Sequence, residues 1–230
     1  MEVGELVPGL WRWTAPHPEW TPDQGGPDGW EAEVASFYCE AAGDVLLIDP
    51  IVPADGSERE RFWRALDRDV ERVGAPHVVL TCAWHARSAG DVLGRYSAAR
   101  LWTHADDVGE LPAGVVATDP FRPGDELPGG ASAIVGVVGG GSEVLLWIPS
   151  RAALAAGDTL LGGGPYGVRM CPDSWLGDSD PVAARAELRA RLENLPVELV
   201  LVTHGESLLA GGPKALEQAL VELREERGRG

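Results

Sequence analysis

Apolar residues in this chain gather into short runs bounded by Gly, Pro or Asp, and the runs at 9–13, 34–39, 45–48, 77–81, 100–102, 115–118, 133–138, 144–148 and 199–203 read as strands. Between some of them the apolar spacing changes to that of a helix. Ser57 followed by Glu60 has the form of a capping box, after which Phe62, Trp63, Leu66, Val70 and Val73 recur on one helical face. Asp180 ahead of Pro181 opens a second helix with a stripe of Leu188, Leu192 and Leu195. A third starts near Pro213 and places Leu216, Leu220 and Leu223 on one side, with Arg224 and Arg227 suiting the negative end of its dipole. Strands interleaved with helices predict an α/β fold.

One stretch has no period. Residues 14–29 are rich in Pro, Gly and Trp and predict a long loop, either a binding wall or a surface loop pinned by Trp20 and Trp30. The glycine runs 139–141 and 162–164 predict turns, since no Lys-Ser/Thr follows either and neither matches a dinucleotide fingerprint.

Length changes the picture little: 230 residues with 44% hydrophobic content suit a single domain over 1–230. Charge changes it more. Nineteen Lys and Arg against 36 Asp and Glu give a net charge of −17, a field that repels phosphate backbones and anionic lipid, so the expected partner is a small molecule rather than nucleic acid or membrane. The start of the chain lacks the basic and apolar regions of a signal peptide, and Cys39, Cys82 and Cys171 are an odd number without close spacing. A reducing cytoplasm is expected.

The candidate chemistry lies where apolar strands end. Val45-Leu-Leu-Ile-Asp49, then Val78-Val-Leu-Thr-Cys-Ala-Trp-His85-Ala-Arg-Ser-Ala-Gly90, then Ala156-Gly-Asp158-Thr-Leu-Leu, then Val200-Leu-Val-Thr-His204-Gly each place polar groups at or beyond a strand end. A doubly wound enzyme would carry a glycine-rich loop after its first strand, whereas Asp49-Pro50-Ile51-Val52-Pro53 stands here.

In their order these segments resemble the metallo-β-lactamase superfamily, in which a strand ending Leu-Ile-Asp precedes Thr-His-x-His-x-Asp-His-x-Gly-Gly, a hairpin Gly-His, Gly-Asp-Thr/Leu and a final His-Gly. The resemblance covers about residues 7–205 and implies a four-layer αββα sandwich with mixed sheets and a hydrolase-type activity. It also exposes a departure. The family's His-x-His-x-Asp-His positions fall on Cys82, Trp84, Ala86 and Arg87, and the hairpin histidine falls on or near Gly139. Asp158 and His204 are retained as the family has them, and Asp49 would shape the floor beneath them.

With those losses a two-metal centre is not expected, since zinc needs about three or four protein donors and an inward Arg87 would stand where a dication would sit. Arg87 is expected to pair with Asp158 instead. One zinc or iron ion on His85, Asp158 and His204 is the open alternative, with His85 otherwise bonded to a backbone carbonyl. The candidate catalytic residues are therefore His85, Asp158, His204 and Arg87, with His17, Trp20, Trp84 and Cys82 as candidate substrate contacts. Ser88 reads as a helix cap rather than a nucleophile, and His77 and His104 as structural. Three functions follow. The first is a hydrolase acting on a small ester, thioester, amide or lactone with at most one metal. The second is an inactive, metal-free descendant that binds a small molecule or protein through the old cleft. The third is a metal-independent enzyme using Cys82, His85 or Asp158.

Overall fold

The structure is a computed structural model that describes residues 1–26 and 28–221. Its larger sheet runs β1 (Glu2–Val7), β2 (Leu10–Pro16), β3 (Glu33–Ala41), β4 (Asp44–Ile48), β5 (His77–Val79), β6 (Arg100–His104) and β7 (Asp119–Phe121), side by side in chain order. Its first four strands are antiparallel neighbours, whereas β4 to β7 are parallel. Parallel neighbours need a crossover, and α1 (Gly56–Val73) and α2 (Ala89–Arg95) supply two of them. The second sheet has the order β13 (Leu199–Val202), β10 (Ala153–Ala156), β9 (Val144–Ile148) and β8 (Ser132–Val135), with β13 and β10 parallel. Strands β11 (Leu160–Gly162) and β12 (Val168–Met170) form a separate hairpin pair, and α3 (Pro181–Leu192) and α4 (Gly212–Val221) complete the described helices.

Side-chain alternation along the strands sorts the layers. Leu46 and Ile48 of β4 meet Leu146, Ile148, Ala155 and Leu201 of the other sheet in an intersheet core. Val45 and Leu47 face the opposite way, onto Phe62 and Leu66 of α1 and Val92 of α2. In the second sheet Leu145, Leu154 and Val202 turn outward onto Leu188 and Leu192 of α3 and Leu216 and Leu220 of α4. Helix, sheet, sheet and helix are thus stacked as an αββα sandwich with mixed sheets, as the resemblance implies.

Several local expectations are corrected. The N-cap of α1 is Asp55, whose carboxylate accepts from the Ser57 and Glu58 amides at 3.0 Å each, so Ser57 lies inside the helix and forms no capping box. Residues 115–118 form no strand; the Thr118 hydroxyl takes the Leu101 amide at 2.8 Å and the pairing starts one residue later. The loop begins at His17 because β2 pairs with β3 as far as Pro16. Ser88 does precede α2, but its hydroxyl accepts the Val52 amide at 2.9 Å rather than capping the helix. Leu223, Arg224 and Arg227 lie outside the described residues. No helix among the described residues is long and apolar enough to cross a membrane.

Candidate functional site

Four strands deliver their C-terminal ends to one edge of the sandwich. From β4 comes Asp49, in a left-handed turn at φ 47°; β5 leads to Thr81, Cys82 and a single helical turn, Ala83–His85. Strands β10 and β13 lead to Asp158 and His204. Asp49 is nearly inaccessible and organises its neighbour: its carboxylate accepts the Thr81 amide at 2.9 Å, the Thr81 hydroxyl at 2.6 Å and His85 Nδ1 at 3.0 Å. Asp107 fixes the same turn by accepting the Ala83 amide at 2.8 Å. The His85 ring is thereby aimed across the intersheet edge, between carboxylates rather than onto a backbone carbonyl.

At the centre lies Asp158. Its Oδ2 accepts the indole N–H of Trp84 at 2.7 Å, while Oδ1 faces His204 Nε2 at 3.1 Å and His85 Nε2 at 3.3 Å. Burial alone would raise this carboxyl, but the His85 charge and the two imidazole hydrogen bonds hold it well below the usual range. For His85, burial and Arg87 pull the pKa down, yet Asp158 and Asp49 outweigh them and carry it up to about 9. At neutral pH the ring is therefore an imidazolium that donates one N–H to each carboxylate. Burial keeps His204 below its ordinary value despite Asp158, which makes it a neutral ring donating from Nε2, with Nδ1 buried and unpartnered.

Beneath Asp158 sits a group that sequence reasoning missed. Glu143, fully buried at the start of β9, accepts the Asp158 and Thr159 amides at 2.7 and 2.8 Å and the Thr159 hydroxyl at 2.5 Å. Burial, and then the Asp158 charge, push it up to about 7. Nothing in Gly-Ser-Glu-Val signals this, because the partners lie on a neighbouring strand end. A side chain at Gly157 would stand 2.6 Å from the Thr81 hydroxyl and 3.0 Å from Glu143, so only glycine lets these groups approach.

Arg87 does not pair with Asp158. Its Nη1 donates to the carbonyls of Ala35 and Asp49, each at 3.3 Å, and its Nε is buried without a partner. The three N–H groups around Asp158 leave that carboxylate no need of a guanidinium. The backbone of Arg87 is at φ 32°, a strained value for a residue with a side chain.

A cavity of about 420 Å³ opens above the cluster, with Trp30, Trp84 and Trp175 as aromatic walls. His17, His85, Arg87, Asp158 and His204 also line it. Trp30 and Trp175 pack edge-on to His204, at 5.3 and 6.1 Å between ring centres. Two expected contacts are not there. Trp20 bonds the Trp30 carbonyl and faces an adjoining hollow. Cys82 is wholly buried beneath the floor, and burial raises its thiol well above the ordinary value, which leaves neither an accessible nor an ionised nucleophile. Trp175, in a Cys-Pro-Asp-Ser-Trp segment without pattern, was not legible as a wall.

The sequence resemblance implies metal ions at this edge. A two-ion centre does not fit. A side chain at Gly139 would begin 2.5 Å from the Trp84 ring, which fills the place of the hairpin ligand, and Arg87 brings a fixed positive charge. Cys82, His85 and Asp158 do offer donor atoms within 4.8 Å of one another. A single ion would nevertheless require His85 to lose its proton and Cys82 to ionise next to two carboxylates. His85, Asp158 and His204 as arranged are joined by hydrogen bonds, and an ion on them would have to displace the protons that make those bonds.

Comparison with known proteins agrees with this fold. No family model matches the chain, and no curated protein matches it. Solved structures do match. A metallo-β-lactamase from Pontibacter korlensis aligns over 95% of this chain and 96% of its own at 15% identity and a TM-score of 0.65. One from Hirschia baltica aligns over 95% of both chains at 14% identity and 0.63. The mono-zinc form of FIM-1 from Pseudomonas aeruginosa aligns over 96% of both at 14% and 0.62. At such identities the likeness is one of fold, and the chain has the metallo-β-lactamase fold.

Proposed function

We propose that this chain binds a small molecule in the aromatic-walled cleft without a metal ion, its fold being that of hydrolases while side chains have replaced the metal chemistry. The observation that carries this reading is the saturation of Asp158: an indole that can only donate holds one oxygen, and two imidazoles converge on the other. The cationic charge that metals would bring is supplied by the His85 imidazolium and Arg87. His17, His85, Arg87, His204 and Trp84 are then the residues that meet the ligand, and Asp158 orders them.

A second reading has one observation in its favour. Cys82, His85 and Asp158 converge closely enough for a single ion, which would give a hydrolase of a small ester, thioester, amide or lactone. Elemental analysis separates the two. After growth in medium supplemented with zinc, iron and manganese, the purified protein is expected to hold less than about a tenth of an equivalent of each. One equivalent of tightly held zinc, together with ester hydrolysis lost in Asp158→Asn, would establish the second reading against the first.

A further inference from the structure

Arg87 is a part-buried cation with no ion-pair contact, Asp49 and Asp158 acting on it only through space. Among the described residues no carboxylate lies within 4.0 Å of it, its Nη1 has only two long bonds to carbonyls, its Nη2 makes no hydrogen bond, and its Nε is buried and unpartnered. A part-buried charge left so incompletely paired is costly to the folded state, and the left-handed backbone at this position adds strain. Such costs persist where a site is built for something else. Arg87 lines the cavity, and its Nη2 is the guanidinium nitrogen that is neither hydrogen-bonded within the described residues nor enclosed, so it is the donor that an anion in the cavity meets.

We infer that Arg87 anchors the carboxylate of a small aromatic acid, whose ring lies against the indoles of Trp30, Trp84 and Trp175. The inference rests on the reading of the cleft as a metal-free small-molecule site and names its ligand class. Three features select this class. The cavity of about 420 Å³ is of the size that takes a small organic molecule. Its walls are aromatic faces, one of them, Trp84, 45% exposed although it is anchored at its N–H, so an aromatic body gains both burial and stacking. The anion is limited to one charge: the chain carries −17 overall and Glu19 stands at the cavity, so a dianion such as a phosphate monoester meets more repulsion than a single guanidinium offsets. Asp158 is itself an anion offset only by the His85 imidazolium that it shares with Asp49, which further limits the ligand to a single charge.

The probe is phenylacetate, compared with its neutral isostere phenylacetamide by calorimetric titration of the full, chelator-treated protein. Phenylacetate is expected to bind about tenfold or more tightly than the amide, and to shift the Arg87 Nε–H resonance in a ¹H–¹⁵N spectrum, which the amide leaves in place. Arg87→Gln is expected to bring the two probes to equal affinity. The spectrum of the unaltered chain decides the matter should that variant fail to fold. Equal binding of the two probes, binding of neither at millimolar concentration, or an unmoved Nε–H signal overturns the carboxylate anchor and leaves the metal-free reading standing. Selective binding that appears only after zinc is restored overturns both.

Discussion

At the scale of single residues, the site is a balance of charges that were partly legible. Asp158 and His204 stand at strand ends in the sequence and meet in the structure at 3.1 Å. Their surroundings were only partly legible: Trp84 is marked in the sequence as a substrate contact but not as a donor to Asp158, and no local pattern marks Glu143. The pKa of His85 gives a direct test. Folding raises it from 6.5 to about 9, so its contribution to stability is complete below about pH 6.5 and is lost as pH rises through 9. Asp158 acts in the opposite sense: its depressed pKa stabilises the fold above the ordinary carboxyl range and that contribution disappears as pH falls below it. Urea denaturation from pH 6 to pH 10 is expected to show a decline in stability that His85→Gln flattens. An equal decline in the variant would mean that the imidazolium is not held between Asp49 and Asp158. At constant neutral pH, Asp158→Asn is expected to cost about 3–5 kcal/mol, since it leaves the buried His85 charge with half its compensation.

At the scale of elements, legibility followed composition. Apart from 115–118, the runs rich in Val, Leu and Ile formed strands, with ends shifted by a few residues. Strand β10 was missed because Ala-Leu-Ala-Ala has little apolar weight, yet all four residues are buried. Strand β1 was missed for a different reason: Glu2 and Glu5 break its apolar pattern, which an exposed edge strand can afford. The start of α1 was misplaced by its first polar residue, since Asp55, Ser57 and Glu60 all suit a helix terminus and only geometry shows which carboxylate faces the amides. Asp55→Ala is expected to lower stability, and Ser57→Ala to lower it much less, since only Asp55 accepts the first-turn amides. Chemical denaturation of both variants checks the assignment, which a larger loss in Ser57→Ala would reverse.

At the scale of the whole molecule, the sandwich depends on a core shared by two sheets, to which Leu201 contributes from β13 with no solvent exposure. Leu201→Ala is expected to cost about 2–5 kcal/mol in urea denaturation, as deletions at fully packed positions do. The fold could be read from the order of four segments because strand ends that converge in space must recur in a set sequence along the chain. The chemistry could not, because it depends on which side chains moved into the volume the usual ligands vacated. The indole of Trp84 over Gly139 couples two distant segments. A side chain at 139 would place its Cβ 2.5 Å from the Trp84 ring, so the ring would have to shift, and that ring also carries the closest donor to Asp158. The absence of a side chain at 139 is thus part of what holds Asp158 in place.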